Sequence, residues 1–393
     1  MSRRDPPAAP RPTAPEGVSA WVSVDVGAIR DNVAELVRRA APAEVMAVVK
    51  ADGYGHGLVP SARAALRGGA TWLGVAQLAE ALELRAAGVT APLLSWIWVP
   101  GADVGAALDA HIDLTVAAPW TLEAVLAAAR ERGTVARVHV KVDTGLLRGG
   151  ALGPMWDELV PAVAKAQAEG AVEVVGVWSH LAWADAPQHP TVRAQRERFT
   201  GAVADLERAG VRPAHRHLAN SAATLTDPQA HFDLVRPGLA VYGLSPVPDL
   251  GGPADFGLRE AMRVTARLSL VKPALAGHGV SYGHTYTTSA DTVLGLVPIG
   301  YADGIPRAAS NVGPVQVGGH RHTVAGRVCM DQFVVDLGAG YAGAAGDEVV
   351  LLGRAADGEP SAQDWAEATG TINYEIVARM SSRLPRLLLG GED

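Results

Sequence analysis

Eight short apolar runs, most of them followed by a helix-like segment, recur along the first two-thirds of the chain. No other feature constrains the fold as much. The runs span residues 45–49, 72–76, 92–97, 112–116, 136–142, 174–179, 215–220 and 234–236. Between them lie stretches such as 58–69, 78–87, 121–132, 155–169 and 191–209, rich in Ala, Leu, Glu and Arg with a 3.6-residue apolar period. Gly88, Gly133, Gly170 and Gly210 close several of them, where helix C-termini favour glycine. Strands alternating with helices imply parallel pairing through right-handed crossovers. Eight repeats in about 210 residues suit a closed (β/α)8 TIM-type barrel, and a doubly wound open sheet would give the same rhythm.

Residues 20–26 alternate like a strand but precede the first helix, so this strand is expected to pair outside the barrel, with the C-terminal domain. Beyond roughly residue 255 the texture changes. Alternating runs at 262–271, 292–298, 315–317, 333–336 and 348–353 are separated by Gly-rich turns, and helical patterning is scarce apart from 362–368 and 372–380. The expected organisation is a disordered Pro-, Ala- and Arg-rich extension over 1–17, an α/β barrel over 18–254 and a mainly β domain over 255–393.

Composition narrows the function. The 393 residues carry a formal net charge of -7 with no basic stripe, which disfavours nucleic acid or an anionic membrane as the main partner. The single cysteine, Cys329, permits no intrachain disulfide and no metal site of paired cysteines. No uncharged apolar stretch is long enough to span a membrane, and the first residues lack the apolar core of a secretory signal. The balance is that of a cytoplasmic enzyme.

In a barrel, reactive residues gather at the C-terminal ends of strands. Lys50 closes the run Val45-Met46-Ala47-Val48-Val49 and is followed by Ala51-Asp52-Gly53-Tyr54-Gly55-His56-Gly57. Burial there would depress the amine's pKa, as a nucleophile or base requires, while the glycines let the backbone turn tightly; a surface lysine before a Gly-rich turn is the other reading. Lys141-Val142-Asp143-Thr144-Gly145-Leu146-Leu147-Arg148 ends a strand in charge, as a catalytic loop or a salt-bridged rim would. His180 follows the run that ends at Ser179, where a lone histidine is more often structural than catalytic. His217-Leu218-Ala219-Asn220-Ser221 and Val235-Arg236-Pro237-Gly238-Leu239 occupy the last two strand ends, the usual phosphate site of such barrels. Helix N-termini there offer free N–H groups, and Asn220 and Ser221 can cap a helix at the same time. A lysine for a Schiff base, an anion cradle and an arginine between them suggest pyridoxal phosphate. No Gly-x-Gly-x-x-Gly follows an early strand, and His111, His139, His180, His215, His217 and His231 do not fall into metal-ligand spacing.

The run Val48-Val49-Lys50-Ala51-Asp52-Gly53-Tyr54-Gly55-His56-Gly57 resembles the cofactor-lysine signature of alanine racemases. Lys141 through Arg148, Ser179-His180, Ala219-Asn220-Ser221, Arg236-Pro237-Gly238, Val280-Ser281-Tyr282-Gly283, Ile299-Gly300-Tyr301-Ala302-Asp303-Gly304 and Arg327-Val328-Cys329-Met330-Asp331 recur in that family's order, over nearly the whole chain.

The resemblance implies a head-to-tail homodimer that interconverts L- and D-alanine for peptidoglycan synthesis. Lys50 would bind pyridoxal 5'-phosphate as a Schiff base and act on D-alanine, and Tyr282 of the second copy would act on L-alanine. A phenol ordinarily titrates near 10, so a positive charge or hydrogen bond must help such a base. Arg236 would face the pyridine nitrogen, which then stays largely unprotonated because arginine keeps its proton. Arg148 would contact the cofactor and the substrate carboxylate, Lys141 would be carbamylated to position it, and His180 would support the cofactor or Arg236. Tyr54, Asn220, Ser221, Gly238, Leu239 and Tyr374 would surround the rest of the cofactor, mostly its phosphate. Met330 and Tyr301 would shape the alanine pocket.

Two positions depart from the pattern. Family members often read Gly-Met-x-Arg-Leu-Gly where this chain has Gly145-Leu146-Leu147-Arg148-Gly149-Gly150, and Asp52-Gly53 replaces a commoner Asn-Ala pair. The rival readings are a racemase of another small amino acid such as serine, a fold-related decarboxylase, and a non-catalytic cofactor carrier. The decarboxylase is opposed by Arg236, where an acidic residue usually faces the ring nitrogen. The carrier is opposed by the long segment after the barrel.

Overall fold

The computed structural model describes residues 16–390. Most of the extension expected over 1–17 therefore lies outside the described residues. Contacts divide the chain into two units: Ile29–Gly53 with Leu58–Leu258, and Arg259–Asp393 with Met1–Ala28 and the four residues Tyr54–Gly57.

The first strand, β1 (Ala20–Asp25), belongs to the second of these units. The first unit is built from eight parallel strands: β2 (Glu44–Val48), β3 (Trp72–Gln77), β4 (Leu93–Ile97), β5 (Asp113–Val116), β6 (Ala136–Lys141), β7 (Val172–Trp178), β8 (His215–His217) and β9 (Leu234–Val235). Their lateral order, β8-β7-β6-β5-β4-β3-β2-β9, follows the chain until β9 returns beside β2. The seam between β8 and β9 is closed by an Asn220–Arg236 bridge and by Arg236 N–H donating to Ala219 O at 2.9 Å. This is a nearly closed (β/α)8 barrel, which removes the open-sheet alternative.

The helices between the strands end as their sequences dictate. The helix Pro119–Arg132 stops at Gly133, whose φ of 61° is the left-handed conformation that a residue without Cβ adopts at least cost. Met46, Trp72, Leu94, Val175 and Leu234 pack with Trp96 as an apolar cluster. Part of the interior is nevertheless polar: Asp113, Thr115, His139, His217 and Arg236 are all buried.

The second unit is mainly β. A nine-stranded sheet joins β1 to strands of the C-terminal half, beginning with β10 (Met262–Arg267) and β11 (Leu270–Ala274). β1 pairs antiparallel with β10, with Trp21 opposite Thr265. The run 262–271 is thus two strands rather than one, and β11 pairs with Thr292–Val297 instead. The break falls at Leu268-Ser269, where the Leu268 N–H turns to Asp347 O and the Ser269 N–H to Leu296 O. Alternation along the sequence does not reveal such a change of partner.

Candidate active site

At the end of β2 the chain makes a left-handed turn. Ala51, Asp52 and Gly53 have φ of 55°, 53° and 60°, followed by Tyr54 at 53° and Gly55 at 80°. This conformation costs a residue with a Cβ on the order of 1–2 kcal/mol. Hydrogen bonds hold the turn in place: Gly53 N–H donates to Val49 O at 2.9 Å, Leu58 N–H to Asp52 Oδ1 at 2.8 Å, and Ala51 N–H to Glu80 Oε1 at 2.6 Å. The other oxygen of Glu80 accepts from Ala76 and Gln77, at 3.0 Å each. One carboxylate thereby ties the end of β3 to the residue after Lys50. Burial, and then the charge of Arg148, lower the Lys50 pKa, with Glu80 opposing. A lower pKa raises the fraction of amine with a free lone pair, which is what a nucleophile needs.

The loop after β6 is organised by one aspartate. Asp143 Oδ1 accepts the N–H groups of Gly145, Leu146 and Leu147 at 2.7, 3.0 and 3.2 Å, and Oδ2 accepts that of Arg148 at 3.2 Å. Leu147 stands at φ 54° within this wrap. Lys141, at the last position of β6, lies with its Nζ 4.2 Å from the centre of the Trp178 ring. Burial, Arg236 and Arg148 bring its pKa down to about 8.

Arg236 is fully enclosed and sits on the same indole, its Cζ 4.8 Å from the ring centre. Its Nη2 donates to Ser179 O at 2.7 Å and Leu218 O at 3.3 Å, and its Nη1 to His217 Nδ1 at 3.2 Å. The histidine bonded to Arg236 is therefore His217, not His180. Burial, followed by Arg236, Arg148, Lys141 and Lys50, pushes His180 well below the usual imidazole range. Burial is the larger cause, and the four cationic groups act in the same direction.

Next to this cluster, Ser221 Oγ accepts the N–H groups of Gly238 at 2.8 Å and Ala240 at 3.3 Å. With its lone pairs engaged, the hydroxyl proton is left to donate to an anion. Asn220 caps the helix Ser221–Thr226, its side chain accepting from Ala223 N at 3.1 Å. Lys50, Lys141, Arg148, His180, Asn220, Ser221, Arg236, Gly238 and Leu239 all belong to the barrel unit.

The other sequence candidates belong to the second unit. Tyr54 is buried with its ring centre 6.3 Å from that of Tyr374, and burial raises its pKa. Tyr301 and Met330 occupy adjoining loops: Tyr301 N–H donates to Cys329 O and Ala302 N–H to Met330 O, both at 3.0 Å. Ser281 Oγ donates to Arg327 O at 2.7 Å, which fastens the turn carrying Tyr282 to the same loop. The Arg327 guanidinium also packs on that turn, since a Cβ on Gly283 would lie 3.2 Å from its carbon. Tyr282 is 70% exposed, Met330 53% and Tyr301 40%, unlike the buried Arg236 and Ser221 of the barrel.

The geometry fits pyridoxal phosphate on its own terms. An amine of lowered pKa, a hydroxyl free to donate, and four cationic groups with few carboxylates among them suit an aldehyde that carries a phosphate, together with an amino-acid carboxylate. Among the described residues no group of His, Cys, Asp and Glu could hold a metal ion. Sequence reasoning missed His217 as the partner of Arg236, together with His139 and Asp113 beyond it. The available signal was the placing of polar side chains inside barrel strands that otherwise carry apolar ones.

Known proteins place the chain in a family. The family model "Alanine racemase, N-terminal domain" matches residues 24–246, and "Alanine racemase, C-terminal domain" matches 261–388. Alanine racemase of Frankia casuarinae is 59% identical over 92% of this chain and 94% of its own length, and that of Salinispora tropica 60% identical over 93% and 97%. The crystal structure of alanine racemase from D-cycloserine-producing Streptomyces lavendulae superposes with a TM-score of 0.95 at 54% identity, covering 97% of this chain and 99% of that one. On sequence and on fold alike, this chain belongs to the alanine racemase family.

Proposed function

We propose that the chain interconverts L- and D-alanine as a pyridoxal phosphate-dependent homodimer in the cytoplasm, supplying D-alanine for peptidoglycan. The observation that carries this reading is the convergence of Lys50, Lys141, Arg148 and Arg236 around His180. When bound, pyridoxal phosphate supplies an electron-withdrawing ring that acidifies the Cα–H of the amino acid joined to it.

Lys50 would hold the cofactor, and its amine would take or return the Cα proton on the D side. Tyr282 does the same on the L side, because inversion requires a proton to leave one face and arrive at the other. Its 70% exposure in a single chain suits a phenol that serves the barrel of a second copy. Arg327 packs on the Tyr282–Gly283 turn and brings a positive charge to it. Arg236 would donate to the ring nitrogen; it cannot yield its proton, which would weaken the electron sink and limit transamination.

Arg148 binds the substrate carboxylate. Lys141, with its pKa near 8, has enough free amine to take up carbon dioxide, and the carbamate so formed places a negative charge beside Arg148. Ser221, Asn220, Gly238 and Leu239 from the barrel, with Tyr54 and Tyr374, hold the remainder of the cofactor, chiefly its phosphate. Met330 and Tyr301 narrow the space beside Cα and favour a methyl side chain.

The test is incubation of the pure protein with L-alanine in deuterated water, with L-serine and L-lysine alongside. D-Alanine carrying deuterium at Cα, formed faster than D-serine or D-lysine, is the expected product. Alanine recovered without inversion would refute the reading.

A further inference from the structure

Behind Arg236 a line of buried side chains crosses the barrel to its opposite mouth. His217 Nε2 lies 2.9 Å from His139 Nδ1, and His139 Nε2 lies 3.3 Å from Asp113 Oδ2. Asp113 begins β5, whereas Arg236 follows the end of β9, so the line joins the two ends of a parallel barrel. At the far end Arg137 grips the carboxylate, Nε to Oδ1 at 2.9 Å and Nη2 to Oδ2 at 3.2 Å, and its Nη1 reaches Glu173.

Both ends of this line have fixed polarity. Arg236 can only donate, so His217 Nδ1 accepts and its proton sits on Nε2. That proton points at His139, whose Nδ1 therefore accepts and whose proton also sits on Nε2, directed at Asp113. Asp113, ionised beneath Arg137, can only accept. Burial raises its carboxyl, but His139 and Arg137 outweigh that and hold it below the usual carboxylate range. A second proton on His139 would reverse the middle bond and turn an N–H of His217 toward Arg236. Burial opposes that charge at both rings.

Packing keeps the line dry and straight. The Trp178 ring stacks on His217 at 5.9 Å between centres and 8° between planes, and Trp72 meets His139 edge-on at 5.4 Å. A Cβ on Gly176 would lie 2.4 Å from His139 Nδ1, so glycine in the middle of β7 leaves the room the imidazole occupies.

We propose that Asp113 is a remote positioning residue: through the tautomers of His139 and His217 it makes His217 Nδ1 the acceptor that aims Arg236 at the cofactor's ring nitrogen. The last part rests on the function proposed above, and the tautomer part does not. A carboxamide at 113 can present a donor to His139 and releases the lock, while His139→Phe cuts the line and leaves Asp113 in place.

The test uses full-length protein labelled with 15N-histidine, as purified, in wild-type, Asp113→Asn and His139→Phe forms checked for folding by circular dichroism. In the wild type both rings carry their proton on Nε2 alone. In Asp113→Asn the Nε2–H form of His217 falls to about half, since donor and acceptor ends of the amide compete on similar terms. The ratio of transamination, read as pyruvate formed, to racemisation rises about tenfold in both variants, the scale of losing one acceptor for a charged donor. An unchanged His217 tautomer in Asp113→Asn, or a wild-type His139 protonated on Nδ1, would overturn the proposal. A released tautomer with an unchanged transamination ratio would support the relay and instead overturn the assignment of Arg236 to the ring nitrogen.

Discussion

The barrel unit and the second unit carry their reactive groups in opposite ways. In the barrel, Arg236 is enclosed and hydrogen-bonded to His217, Ser179 and Leu218, and Lys50 is fixed at the head of a strained turn. In the second unit, Tyr282, Met330 and Tyr301 stand exposed, anchored through the backbone and through Ser281 and Arg327. A buried cationic cluster is costly unless something anionic shares it. An exposed phenol set on a fastened turn is equally incomplete until it meets a substrate. The proposed function draws on both regions, taking the amine and charge from one and the second base from the other.

The sharpest way to break this comparison is Tyr282→Phe. Losing one of two bases should lower L-to-D turnover by about 10³-fold, while Cα deuterium exchange of D-alanine, which needs only Lys50, persists. Equal loss in both measurements would mean that the exposed phenol is not a separate half. The next largest effect is expected from Arg148→Ala, which should raise the KM for alanine by about 10–100-fold, the scale of a charged hydrogen bond, with a smaller change in kcat. A change in kcat alone would argue that Arg148 acts on the cofactor only.

Much of the barrel was legible because its strands are apolar on both faces and bounded by helices, so a run such as Val45-Met46-Ala47-Val48-Val49 announces itself. The lysine at its end and the arginine after the last strand were legible for the same reason: charge there is expensive unless used. The relay was not legible. His139, His217 and Asp113 lie on three different strands, and only the lateral pairing of β5 through β8 brings them within hydrogen-bond reach. The two strands within 262–274 were merged in the sequence because alternation continues across a change of partner.

Smaller effects sharpen the account within the barrel. Lys141 is held near pH 8 by burial, Arg236 and Arg148, so its neutral form, and with it uptake of 13C-bicarbonate as a carbamate, should grow as pH rises through about 8. Carbon NMR would show the signal, and Lys141→Gln should abolish it. A signal that is flat with pH would place the carbamate elsewhere or nowhere. Least in size, Gly53→Ala should cost about 1 kcal/mol at a φ of 60°, because its Cβ would meet Ser61 Oγ at 2.6 Å. Adding Ser61→Ala should relieve only the clash with Oγ and leave the cost of the left-handed backbone, as thermal unfolding of the single and double variants would reveal.

In the proposed function the amine of Lys50 carries the cofactor. The chain has four lysines, Lys50, Lys141, Lys165 and Lys272, so the assignment can be decided outright. Reduction of the holoenzyme with borohydride, digestion and peptide mass mapping should place a pyridoxyl group on the peptide containing Lys50 and on no other. A label on Lys141, Lys165 or Lys272, or no label at all, would contradict the account.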